Sequence, residues 1–121
     1  APALGLVGSA AERIDPAGAR LGPQFTLGPT QDHHAFSAYS MPVTTPTLTV
    51  RRSLLREFPY REDLDCASDY DFFSRAVERM PSCALPQVLG QYRCHPGQAT
   101  RTRFVAQTLS AGLIRLMTGR R

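Results

Sequence analysis

With 121 residues, the chain is long enough for one small domain or for part of a larger one. Its hydrophobic fraction of 42% and charged fraction of 20% predict a folded core, and no apolar run is long enough to cross a bilayer. The net charge of +4 comes from arginine alone, but the arginines are spread along the chain without the interleaved aromatic side chains of a nucleic-acid groove, so we predict no nucleic-acid binding.

The cysteines indicate a reducing compartment. Cys66, Cys83 and Cys94 form no C-x-x-C pair, and their odd number leaves at least one thiol outside any disulfide scheme. This usage favours the cytoplasm. Cys94 and His95 are adjacent, but their spacing matches no zinc motif, so we predict buried or half-buried thiols.

The first part of the chain favours a strand, a turn and a loop. Residues 4–14 mix small and β-branched residues and predict a strand. Residues 15–18, with the sequence DPAG, fit a type I turn that opens a hairpin. Residues 21–35 are rich in turn formers and lack periodicity, which predicts a surface loop leading into a short helix near residues 35–39.

The next segment predicts a short strand and a short helix. Residues 47–50 form a compact run of β-forming residues. Ser53 is a candidate N-cap for a helix that ends before Pro59, because a helix rarely continues into the residue that precedes proline.

A longer helix is predicted from residue 68. Ser68 and Asp71 have the spacing of a capping box, and Pro81 should end the helix. Asp71 and Arg75 lie four residues apart and should pair on its polar side. Its apolar face would consist of Phe72, Phe73, Ala76, Val77 and Met80.

The chain then favours a strand over residues 85–93 and a terminal amphipathic helix over residues 101–121. The apolar positions that recur at helical spacing in this last segment are Phe104, Val105, Leu109, Leu113, Leu116 and Met117.

Asp69 is separate from the capping box because it would occupy the first helical turn with its side chain free. The helix dipole stabilises an exposed carboxylate there by about 0.3–1 kcal/mol. An ionised carboxylate is what a general base requires before it takes a proton. A plain helix-stabilising acid explains the same pattern, and the local sequence alone favours that simpler interpretation.

Five segments, taken in order, resemble the C-terminal half of family 2 glycosyltransferases, which have the GT-A fold. They are GLVGSAAERIDPAGAR at 5–20, VRRS at 50–53, YREDL at 60–64, SDYDF at 68–72 and PQVLGQYRCH at 86–95. Each motif is weak alone, but their order and spacing together are fairly specific. The match covers most of the chain and is strongest from residue 46 to residue 101.

The resemblance implies an α/β fold, a partial GT-A-like arrangement in which a short mixed sheet carries flanking helices. Residues 1–121 would be a single domain or fragment on the acceptor side. The family's N-terminal, nucleotide-binding half is expected to lie outside this sequence. D-x-D strings occur at 63–65 and 69–71, but neither follows a buried strand, so we do not interpret either as the family's metal motif.

The resemblance also implies site residues. The second acid of the family's "ED" pair deprotonates the acceptor hydroxyl, and Asp69 matches that position, although Ser68 stands where the family usually has Glu. His95 matches a position near the donor diphosphate, where it would also help to bind a divalent metal, Mg²⁺ or Mn²⁺, and Arg93 would pair with phosphate. The alternatives are a surface histidine and an arginine that pairs with a neighbouring carboxylate.

The implied function is an inverting, hexosyltransferase-like glycosyltransferase that moves a sugar from a nucleotide-diphospho-sugar to a hydroxyl of a glycan or lipid-linked acceptor, as in bacterial cell-envelope polysaccharide synthesis. We expect the isolated chain to be inactive. The expected location is the cytoplasm or the inner face of the plasma membrane, with peripheral membrane association. An apolar edge would favour homo-oligomers. The alternative is a non-catalytic carbohydrate- or protein-binding module with the same fold.

Overall fold

The structure, a computed structural model, describes residues 3–98 and 103–117. Within these residues the chain forms an α/β fold with one small four-stranded sheet and flanking helices, which confirms the predicted class. The strands are β1 Leu6–Ile14, β2 Arg20–Gln24, β3 Thr49–Val50 and β4 Ser82–Arg93. The helices are α1 His33–Phe36, α2 Arg52–Glu57, α3 Ser68–Arg79 and α4 Phe104–Met117, and a 3-10 turn spans Thr45–Thr47.

Strand β1 is the centre of the sheet. It pairs in parallel with β4 over its whole length, from Leu6 to Ile14. Its other edge pairs antiparallel with β2 and β3, so the sheet is mixed, as predicted. Two register shifts in the β4 pairing occur on either side of Ala10, and the nearby β4 side chains Val88 and Leu89 point into solvent.

The first two strands form the hairpin that the DPAG sequence predicts. The amide of Gly18 donates to the Asp15 carbonyl at 3.0 Å, and the Asp15 carboxylate accepts from the amides of Ala17 and Ala19 at 2.9 and 2.8 Å. Gly18 has a φ of +93°, which glycine adopts without the steric cost of a Cβ. The prediction of a loop over 21–35 is wrong for its first residues, because pairing with β1 orders them as β2.

Helix α3 provides the largest part of the core. Its apolar positions follow the predicted helical spacing, and the helix ends at Arg79 with Met80 as C-cap, directly before Pro81. The core side chains are Phe72, Phe73, Ala76 and Val77 of α3, packed against Leu6, Val43, Leu54 and Ala84. These contacts hold α3 against the sheet.

The caps of α2 and α3 differ from the predicted ones, although α3 begins at Ser68 as predicted. Ala67 is the N-cap of α3 and adopts a left-handed φ of 59°, and no side chain caps it, so the predicted capping box of Ser68 and Asp71 is wrong. Asp71 binds Arg75 instead, and its carboxylate is therefore turned along the helix. Ser53 is also not a cap, since it lies inside α2.

Three further boundaries move by a few residues. Helix α1 begins at His33 rather than near residue 35, and β4 begins at Ser82 rather than at residue 85. Strand β3 is shorter than predicted because Thr45–Thr47 forms a 3-10 turn whose second residue is proline. Proline fixes its own φ and cannot donate to a sheet, so this segment turns before it pairs.

Helix α4 confirms the predicted terminal helix, although residues 101–102 and 118–121 of that prediction lie outside the described residues. Of its side chains only Ile114 is buried. The other large apolar side chains of the helix are exposed to solvent. In the part of the chain that the structure describes, no helix combines the length and apolar character needed to cross a membrane.

Candidate functional site

The carboxylate of Asp69 lies in the first turn of α3, half-buried, where two surface grooves meet. Both grooves also include Ser40 and Met41, from the loop after α1, and Gln107 of α4. Segments that are far apart in the sequence thus converge on a single acidic side chain. The core packing of α3 fixes the position of this acid, whereas the loop and α4 shape the space around it.

The two grooves extend from Asp69 in different directions. The first, of about 350 Å³, runs between the start of α3 and the side of α4 that faces the body of the protein, and Tyr39 lines it. The second, of about 430 Å³, runs past the end of β2 towards Tyr92, and Phe25 lines it. Tyr39 is 66% exposed and Phe25 is 58% exposed, so each groove has an aromatic side chain that is open to solvent.

The Asp69 carboxylate accepts one hydrogen bond on each oxygen. Oδ2 accepts from the hydroxyl of Thr45 at 2.6 Å, and Oδ1 accepts from the backbone amide of Tyr70 at 2.8 Å. The hydrogen bond from the Tyr70 amide gives Asp69 the helix-stabilising role that the local pattern predicts, since it satisfies a backbone donor of the first turn that has no partner within the helix. A carboxylate can accept about four hydrogen bonds, so Asp69 can accept about two more from a bound ligand.

Asp69 forms no ion pair within the described residues, although Arg115 lines the first groove with it. The ion pairs of the described residues involve other acids, and none of these residues brings an arginine or histidine within ion-pair distance of Asp69. Its carboxylate is therefore neither packed away from solvent nor held in a surface ion pair. A polar ligand that enters either groove can reach it.

The neighbouring acid Asp71 has a different environment. It pairs with Arg75 at 2.8 Å, as predicted, but it is 2% exposed, so its predicted place on the polar side is wrong. Arg75 also donates to the carbonyl of Pro59 at 2.8 Å and lies over the ring of Phe58. This buried pair ties α3 to the segment that follows α2, and its carboxylate is not available for chemistry.

Tyr60 responds to the charge of Asp69. Partial burial and, as the smaller cause, the negative charge of Asp69 raise the pKa of the Tyr60 phenol above its ordinary value. The ring also packs against Phe72 of α3, with centroids 5.3 Å apart. The influence of the Asp69 charge therefore extends beyond the grooves to this aromatic side chain.

Arg93 and His95 are not brought to Asp69. The guanidinium of Arg93 donates to the carbonyls of Asp15 and Pro16 at 3.1 and 2.7 Å, so it fastens the turn between β1 and β2. His95 is exposed after β4 and donates its amide to Gln98. Neither is among the described residues that line the two grooves.

The described residues include no cluster of metal-ligating side chains around His95. Within residues 3–98 and 103–117, no three His, Cys, Asp or Glu side chains come close enough to hold a metal ion. The acids of the first D-x-D string are bound elsewhere, Asp63 to Arg61 and Asp65 to Arg103. We therefore derive no step of a reaction through a metal on this chain.

Sequence reasoning missed most residues of the two grooves, among them Thr45, Tyr92 and Gln107. The strand pattern could have identified Tyr92. Successive side chains of a strand point to opposite faces, so Tyr92 and Arg93 cannot both face the groove. Thr45 and Gln107 had no such signal, since their positions relative to Asp69 depend on contacts between distant segments.

A comparison with models of known protein families found no match to the chain. No curated protein sequence matches it either.

Proposed function

We propose that this chain is the acceptor-binding part of an inverting, family 2-like glycosyltransferase of the GT-A type, and that Asp69 is its general base. The observation that carries the proposal is the position of this carboxylate, which lies where two open grooves meet, forms no ion pair among the described residues and keeps free acceptor positions. The ordered motifs from 50–53 to 86–95 connect this geometry to the reaction class.

The proposed reaction begins when an acceptor hydroxyl enters the grooves and donates a hydrogen bond to Asp69. The hydroxyl oxygen forms a bond to the anomeric carbon of the donor sugar as the bond from that carbon to the diphosphate breaks. The electron pair of the broken bond leaves with the nucleoside diphosphate, and the hydroxyl proton passes to the carboxylate. Attack from the face opposite the leaving group inverts the anomeric configuration.

Thr45 and Tyr70 would position the base in this reaction. Their two hydrogen bonds fix the orientation of the carboxylate, so its free acceptor positions are held in place before the acceptor binds. General-base catalysis by a positioned side chain typically contributes about 10²–10⁴-fold to a rate.

The test is a turnover assay on the native, full-length protein with a panel of nucleotide-sugars and glycan acceptors. We expect acceptor-dependent release of nucleoside diphosphate, and a loss of about 10²–10⁴-fold in Asp69→Asn. Asp63→Asn is the matched control because Asp63 is exposed and bound to Arg61, away from both grooves. Equal rates in the wild type and Asp69→Asn would refute the proposed role.

A second candidate is a carbohydrate-binding module without catalysis. The exposed rings of Tyr39 and Phe25, one in each groove, favour it, because an aromatic face provides a large, rigid apolar contact. Such a module would bind oligosaccharides through these rings and would tolerate Asp69→Asn. Oligosaccharide binding that needs Tyr39 and Phe25, without turnover of any nucleotide-sugar, would select this candidate over the enzyme.

A further inference from the structure

Helix α4 packs against the body of the protein through its less apolar side. Gln107, Ala111 and Arg115 line the first groove, and Ile114 is buried. The opposite side consists of large apolar residues, each between 56% and 69% exposed. We call it the outward face of α4, and it consists of Val105, Leu109, Leu113 and Leu116. Met117 is also exposed, but its sulfur accepts from Arg61 and it lies at the edge of this face.

The spacing of these residues makes a continuous row. Val105, Leu109, Leu113 and Leu116 follow one another at intervals of three or four residues, so they lie along one side of the helix. Scattered apolar side chains are normal on protein surfaces, but a contiguous apolar row on a helix indicates an interaction surface.

The charge of the chain is divided near the end of α3. Residues 1–78 contain seven of the 14 arginines and all 10 acidic residues, which gives a net charge of −3. Residues 79–121 contain the other seven arginines and no acidic residue, which gives +7. Along the sequence, Arg101 and Arg103 precede α4, and Arg120 and Arg121 follow it. Arg103 forms an ion pair with Asp65.

We propose that the outward face of α4 docks on an anionic lipid surface. The apolar row would enter the boundary between head groups and acyl chains, about 5–10 Å deep, while the positive charge of residues 79–121 attracts the anionic head groups. The helix has 14 residues and is therefore about 21 Å long, too short for a bilayer core of about 30 Å, so it lies in the plane of the membrane.

Charge complementarity favours lipid over two other partners that could cover the outward face of α4, namely a second copy of the chain and a nucleic acid. A second copy would bring together two segments that each have a net charge of +7, and this repulsion opposes a dimer through the outward face. A nucleic acid would neutralise the arginines but would leave the apolar row in water. An anionic bilayer satisfies both the charge and the apolar side chains of this face.

Docking in this way would place the first groove close to the membrane. Gln107 and Ala111 line that groove from the inward side of the same helix, so the groove would lie about one helix diameter, roughly 10–12 Å, from the lipid. The inference does not depend on catalysis by Asp69, because it rests on α4 and its flanking arginines alone.

The experiment measures sedimentation of the full chain with vesicles. One set contains phosphatidylcholine alone, and the other contains phosphatidylcholine with phosphatidylglycerol. We expect at least tenfold tighter binding to the anionic vesicles, falling steeply as salt is added. The double variant Leu109→Glu/Leu113→Glu should lose at least tenfold in affinity, while Val88→Glu/Leu89→Glu, which changes similarly exposed residues of β4, should bind like the wild type.

Fluorescence provides a second measurement that reports on the same face. The chain contains no tryptophan, so a single Leu109→Trp substitution gives an unambiguous signal. We expect its emission to shift to shorter wavelength on anionic vesicles, whereas that of Val88→Trp stays unchanged. Equal binding to both vesicle types, or no effect of Leu109→Glu/Leu113→Glu, would overturn the proposal. So would a lipid-free dimer that the same double variant dissociates, since a second copy would then cover the face.

Discussion

Helices α3 and α4 have the same kind of amphipathic sequence, but they turn opposite sides to the body of the protein. In α3, Phe72 and Phe73 are buried in the core and at most 1% exposed. In α4, Leu109 and Leu113 face solvent, and the side that contacts the body contributes Gln107 to the grooves.

The comparison separates two uses of an apolar helix face. The apolar face of α3 stabilises the fold, because each Å² of apolar surface removed from water contributes roughly 25 cal/mol to the free energy of unfolding. The same packing holds Asp69 at a fixed point. The face of α4 contributes little of this kind and remains available for a partner. Periodicity in a sequence shows that a helix has an apolar side, but it does not show what that side contacts.

The largest expected difference between the helices is in stability. Phe73→Ala should lower the free energy of unfolding by about 3–5 kcal/mol, because the side chain is fully buried and would leave a cavity. Leu113→Ala should change it by no more than about 0.5 kcal/mol, since most of that side chain is already in water. Urea denaturation of both variants is the measurement, and similar losses would break the distinction.

The two acids of α3 give a smaller contrast. Asp71→Asn should lower the free energy of unfolding by about 1–3 kcal/mol, because it removes the charge that is bound to Arg75 in a buried position. Asp69→Asn should cost about 0.3–1 kcal/mol, the typical contribution of an acid in the first helical turn. The same urea titrations measure both, and a larger loss for Asp69→Asn would mean that its carboxylate is chiefly structural.

The smallest predicted effect is on the titration of Tyr60. Its raised pKa means that the folded chain holds the phenol proton more tightly than the unfolded chain does, so this stabilisation is complete below the ordinary phenol pKa of about 10. It is lost as the pH rises through the raised value.

Asp69→Asn removes the smaller of the two causes of this shift. The pKa of Tyr60 should therefore fall, but it should stay above the ordinary value because burial remains. The measurement is an absorbance titration of phenolate in the wild type and in Asp69→Asn. Subtracting the titration of the same chain with Tyr60→Phe isolates the signal of Tyr60. An unchanged pKa would show that the charge of Asp69 does not reach Tyr60.

Local signals predicted a large part of the fold. The hairpin turn at 15–18 and the apolar face of α3 depend on residues close together in the sequence, and both agree with the structure. Strand β2 was missed because its order comes from pairing with β1 and not from a period-2 pattern. The start of α3 at Ser68 agrees with the prediction, but the capping box is wrong because Asp71 forms a buried pair with Arg75 instead of reaching back to the cap.

The candidate site was less accessible to sequence reasoning than the fold. Asp69 was identified through its motif, but its hydrogen bond to Thr45 spans 24 positions of the chain and has no local signature. Arg93 and His95 share a motif with Tyr92, yet of these three only Tyr92 lines a groove beside Asp69. A motif fixes which residues are neighbours in the chain, whereas strand alternation and turns decide which of them face a common space.

The most direct test of Asp69 as the base is the separation of kcat from KM for the acceptor, measured on the full-length protein with saturating donor. We predict that Asp69→Asn lowers kcat by about 10²–10⁴-fold. The KM for the acceptor should change little, since the grooves keep their aromatic side chains and the amide still occupies the same position. A kcat close to that of the wild type, with a raised KM, would contradict the account and would make Asp69 a binding residue.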